Sequence, residues 1–113
     1  MGAVPISSTS RKSKMNTDVF RKTLTGDSPP DGLDDCLLAL WFDGRGDWEA
    51  AHNVAQKVKS RDGAWVHGYL HRVEGDLGNA RYWYDRAGRP FTDVPLKDEW
   101  AAIAEELLAD ARP

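Results

Sequence analysis

Two stretches of this chain repeat one another at a fixed distance. Gly46-Asp47-Trp48-Glu49-Ala50-Ala51 is echoed 29 positions later by Gly75-Asp76-Leu77-Gly78-Asn79-Ala80. Ala39 pairs with Gly68 at the same offset, and Leu40 with Tyr69. Self-similarity at such a period means stacked supersecondary units, and it narrows the fold more than any other feature of the chain. The units are helical. Leu33, Leu37, Leu40 and Trp41 recur at three- and four-residue steps over 33–46, and Trp48, Ala51, Ala55 and Val58 form an apolar stripe over 46–58. Residues 64–75 and 76–88 give a second helical pair after the linker Lys59-Ser60-Arg61-Asp62-Gly63. Nowhere does alternation persist long enough to predict a strand.

The flanks add helices and breaks. Asn16 or Thr17 can cap a short helix ending near Gly26, Asp27 to Gly32 with its paired prolines forms a break, and 96–110 is a terminal amphipathic helix with Trp100, Ile103, Leu107 and Leu108 on one side. The expectation is an all-α fold of about five helices: two stacked antiparallel hairpins, repeats at 33–58 and 62–88, with flanking capping helices. With 113 residues, one domain covers 16–113, and five tryptophans supply a large apolar area for its core. Residues 1–15 hold Arg11, Lys12 and Lys14 without an acid and read as a disordered basic tail; Met15 is an alternative start.

The motif set resembles the tetratricopeptide or Sel1-like helical repeat. A small residue stands where the partner helix crosses, a Gly-Asp turn follows, and an Ala, an aromatic and another Ala line the second helix. Gly68, Gly75-Asp76, Ala80, Tyr84 and Ala87 keep that spacing in the second repeat; Ala39, Gly46-Asp47, Ala51, Ala55 and Val58 keep it in the first. Two repeats are fewer than the roughly three of a free-standing solenoid, so the helices at 16–24 and 96–110 are expected to act as caps. The string from Trp65 to Pro90 also resembles small uncharacterised bacterial helical proteins, which brings no activity with it.

The resemblance implies a non-enzymatic protein-interaction module. The first helix of each pair would line a concave face, placing Trp65, Tyr69 and Arg72 together, residue types enriched at binding hot spots. The partner would be a protein or peptide, unless helix 96–110 covers that face or a homodimer hides it. A net charge of −3 gives no electrostatic case for nucleic acid, the single Cys36 forms no internal disulfide and fits a reducing cytoplasm, and no run approaches the roughly 18 apolar residues of a membrane span. Gly44-Arg45-Gly46-Asp47 contains the Arg-Gly-Asp adhesion tripeptide but reads as a turn and cap, its glycines ending one helix and Asp47 starting the next.

The histidines suggest a second function. At 100° per residue, His67, His71 and Glu74 lie within about 60° of each other beside the apolar face of helix 64–75. In the repeat alignment, His67 and His71 occupy positions that carry Leu38 and Phe42 in the first unit, so they are expected to face inward, where Glu74, Asp47 or Asp76 can accept their hydrogen bonds. His52 lies at the edge of its own stripe, and all three imidazoles can meet between the hairpins. With Glu74 nearby they would suit a transition-metal site, and the alternative function is a small metal-binding protein or metal-dependent hydrolase built on His52, His67, His71 and Glu74. The two readings separate on geometry: convergent imidazoles favour a metal, imidazoles directed to separate acceptors do not.

Overall fold

The computed structural model describes residues 15–110; residues 1–14, nearly all of the expected basic tail, lie outside them. The described residues form six α-helices, one more than expected, and no strand. They are α1 (Thr17–Lys22), followed by a 3₁₀ turn at Thr23–Thr25, α2 (Asp35–Gly44), α3 (Trp48–Ala55), α4 (Arg61–Val73), α5 (Leu77–Ala87) and α6 (Leu96–Asp110).

Short polar side chains start these helices. Asn16, Asp34, Asp47, Ser60 and Asp76 each accept a hydrogen bond from the backbone N–H three residues on, satisfying a donor the helix itself leaves unpaired. Ser60 moves one boundary: α4 begins at Arg61, so most of the segment expected to link the hairpins is helix. Gly63 does not break it, because a Cβ there would lie 2.6 Å from the Val58 carbonyl oxygen. The glycine admits a close backbone contact.

The repeated Gly-Asp turn has the same structure twice. Gly46 and Gly75 take φ of 83° and 86°. The amide of Gly46 bonds Asp43 and that of Asp47 bonds Phe42; 29 residues on, Gly75 bonds Arg72 and Asp76 bonds His71. This is the Schellman arrangement, in which a left-handed residue closes a helix and returns two amides to its last carbonyls. The same Asp then caps the next helix, so three residues turn the chain back on itself.

Helices α2 and α3 form the first hairpin and α4 and α5 the second. In the second, a Cβ on Gly68 would sit 2.6 Å from Cδ1 of Tyr84 and 3.2 Å from the Ala80 carbonyl oxygen, so glycine is what lets α4 and α5 approach. Helix α4 is central: it packs on α2, α3, α5 and α6. Helix α6 lies across α1, α2 and α4, with Trp100, Ile103, Ala104 and Leu107 buried. Indole N–H groups tie the elements together. Trp100 donates to the Leu40 carbonyl at 2.9 Å, Trp48 to the Leu70 carbonyl at 2.7 Å, and Trp41 to the Thr23 hydroxyl at 3.0 Å.

Candidate metal centre

Helix α4 carries two different faces. The repeat resemblance leaves the one bearing Trp65, Tyr69 and Arg72 either an open binding surface or a face covered by helix 96–110; in the structure α6 covers it. Trp65 and Tyr69 are 5% and 3% exposed. The cause is a carboxylate on α6. Glu99 is itself buried and accepts from the Tyr84 hydroxyl at 2.6 Å, from the Trp65 indole at 3.2 Å and from the Arg72 guanidinium. Arg72 also donates to the Val94 carbonyl, and the Tyr69 hydroxyl donates to Asp43 at 3.0 Å. Burial raises the Asp43 carboxyl above the usual range, against the Tyr69 bond, which lowers it. A buried carboxylate of this kind needs charged and hydrogen-bonding partners, and Glu99 has both. Sequence reasoning passes over Glu99 because it stands among other acids at the start of an amphipathic helix, and only tertiary contact separates it from Asp98.

The opposite side of α4 gathers the histidines. His67 and His71 project one turn apart, and His52 reaches them from α3. The Nε2 atoms of His52 and His67 are 3.0 Å apart. One nitrogen from each of the three rings falls in a cluster whose members all lie within 4.8 Å of one another. His67 and His71 stack at 4.9 Å between centroids, with planes 24° apart, and His52 stands at 73° to both. Indoles back the imidazoles: Trp83 stacks on His67 at 4.1 Å and Trp48 on His52 at 4.7 Å. The Trp48 indole is fixed in turn by its bond to Leu70.

Glu74 does not join the three-nitrogen cluster. Its carboxylate lies 2.7 Å from Nδ1 of His71. A carboxylate accepts, so Nδ1–H donates to it. Glu74 is therefore an orienting residue, the carboxylate–imidazole arrangement that commonly stands behind a metal-ligating histidine. His71, Glu74 and Asp76 also lie close together, but the Asp76 oxygens are engaged in capping and holding Asn79.

Protonation favours ligation as well. Burial first, then the neighbouring His52 and His71, push His67 down to about 4. Burial and His71 lower His52 too, against a raising effect of Glu74. Both rings are neutral near pH 7, the form that binds a metal. Around a tetrahedral ion with nitrogens at about 2.0–2.1 Å, donor atoms sit roughly 3.3 Å apart. The His52–His67 pair, at 3.0 Å, is already close to that spacing, and all three nitrogens lie within 4.8 Å of one another.

Two other sequence features resolve simply. Cys36 is buried and its thiol is pushed up to about 12 by burial, then by Asp34, Asp62 and Asp35, which disfavours the reactive thiolate. The arginines near α5 engage aromatic rings, Arg81 over Phe91 at 4.0 Å and Arg89 over Trp65 at 3.5 Å. Among the described residues, no helix is long and apolar enough to cross a membrane.

An all-α protein with a three-histidine cluster between two hairpins is what the fold and site define. No family model, curated protein or solved structure matches the chain.

Proposed function

We propose that this is a small transition-metal-binding protein whose ion is held by His52, His67 and His71, with Glu74 orienting His71. The observation that carries this reading is convergence: three imidazoles from two hairpins bring a nitrogen each into one cluster, all within 4.8 Å of one another, two of them 3.0 Å apart. Three imidazoles without a thiolate suit Zn²⁺, and also Co²⁺, Ni²⁺ or Cu²⁺. The interaction-module reading drawn from the repeat resemblance finds no open surface at Trp65, Tyr69 and Arg72, since α6 fills that face.

The test is metal content and titration on untagged protein. Mass spectrometry of the purified chain and calorimetric titration of the chelator-treated chain with Zn²⁺ should give one ion per chain. Uptake should be lost in His52→Ala and His67→Ala and weakened in Glu74→Ala. A correctly folded wild-type protein that takes up no transition metal overturns the reading, and leaves the three rings as a hydrogen-bonded and stacked part of the interior.

A further inference from the structure

Protein metal sites divide by their fourth ligand. Structural sites close the tetrahedron with protein donors and hold the fold together, whereas catalytic sites keep three protein donors and leave one position to a water or substrate. Three features of this site bear on the choice. First, among the described residues no fourth His, Cys, Asp or Glu joins the three-imidazole cluster. Cys36 is buried on a different helix, α2, and the Glu74 carboxylate is bonded to Nδ1 of His71. Second, burial is uneven across the cluster: His67 and His71 are buried while His52 is half-buried, so His52 is its most exposed member. Third, the fold does not lean on an ion. The core is a continuous apolar cluster drawn from every helix, and no buried side-chain nitrogen or oxygen among the described residues lacks a hydrogen-bond partner. Zinc modules that need their metal to fold lack such a core.

Resting on the metal-binding reading above, we infer that an ion held by His52, His67 and His71 keeps its fourth coordination position for an exchangeable external ligand, a water molecule or a small monodentate anion, so that the site belongs to the catalytic and not the structural class. The ligand enters at the His52 edge. The indoles of Trp48 and Trp83 lie against the imidazole faces and stiffen the donors. A water bound there would be acidified by the ion toward neutrality, as with other ions of this ligand class.

Cobalt substitution reads the fourth position directly. The full chain, freed of metal by chelator, is titrated with Co²⁺ and then with azide. The expected result is the visible d–d absorption of tetrahedral Co²⁺ at one ion per chain, shifted saturably by azide, with far-ultraviolet circular dichroism unchanged between metal-free and loaded protein. Cobalt bands that azide does not move overturn the inference while leaving metal binding intact, because a protein donor then holds the fourth position. Recovery of the azide response in Glu74→Gln would identify that donor as Glu74. Loss of helix on metal removal also overturns it, since the ion is then structural. Absence of any bound Co²⁺ after titration and removal of excess metal refutes the metal-binding reading itself, and this inference with it.

Discussion

Replacing His67 by leucine, the residue the first repeat carries at the matching position as Leu38, should make the metal-free protein more tolerant of acid. The His67 ring is buried, with a pKa pushed down to about 4 from an ordinary value of 6.5. An unfolded chain takes up that proton below its ordinary pKa, and the folded chain does so only below about 4. The folded state is thus fully favoured above the unfolded value and loses stability as pH falls through the window between the two. Carried down to pH ~4.5, a depression of that size costs on the order of 2–3 kcal/mol relative to pH ~7.5, an upper figure for a single ring. His52 is lowered in the same direction, so its effect adds. For a domain of this size, that loss corresponds to a drop of roughly 1–2 M in the urea midpoint. The assay is urea unfolding of wild type and His67→Leu, each with chelator present, near pH 7.5 and pH 4.5. Carboxylates titrate over the same range in both proteins, so the quantity that decides is the difference between them. Wild type should lose clearly more stability than the variant. If the two midpoints fall in parallel, His67 is not held neutral by its surroundings and the electrostatic account of the cluster is wrong.

Further outcomes follow from the same contacts. Zn²⁺ at a hundredfold excess over its Kd should stabilise the fold by about 2.7 kcal/mol through mass action, seen as a rise in Tm that His52→Ala abolishes; equal rises in both proteins would place the ion elsewhere. Gly68→Ala should destabilise by roughly 1–3 kcal/mol despite alanine's better helix propensity, because its methyl meets a Tyr84 ring already tied to Glu99; a neutral or higher thermal midpoint would show that α4 and α5 can part freely. Glu99→Ala should cost about 3–5 kcal/mol by leaving the Arg72 charge buried without its partner, and chemical denaturation of that variant with an unchanged midpoint would mean that α6 is held by apolar contact alone.

Much of this architecture is legible in the chain because local chemistry and tertiary packing agree. The Gly-Asp turns announce themselves through a glycine that can take positive φ and an aspartate that can cap, and both do so at Gly46-Asp47 and Gly75-Asp76. The span of α6 coincides with its apolar periodicity. The meeting of His52 with His67 and His71 is anticipated because each sits on a flank of a stripe that has to face the neighbouring hairpin. What is not legible depends on contacts between distant positions. Whether helix 96–110 lies in the groove beside Trp65 or leaves it open is decided by Glu99, 34 residues from Trp65 in sequence, and no periodicity encodes that choice. The start of α4 is obscured because Gly63 looks like a breaker until Val58 is seen against it. A helical wheel groups Glu74 with the ligands because it gives a direction but not which nitrogen of His71 the carboxylate meets.

The placement of α6 in the groove of α4 has a thermodynamic side. Groove and occupant belong to one polypeptide, joined through the short stretch between Ala87 and Leu96, so the occupant is present at an effective concentration on the order of millimolar. A free helix offered from outside would compete against that concentration and against the Glu99 bonds to Trp65, Tyr84 and Arg72 at once. The face resembling a repeat protein's binding surface thus behaves as a lock supplied with its own key, and this chain spends its most recognition-prone residues on recognising itself.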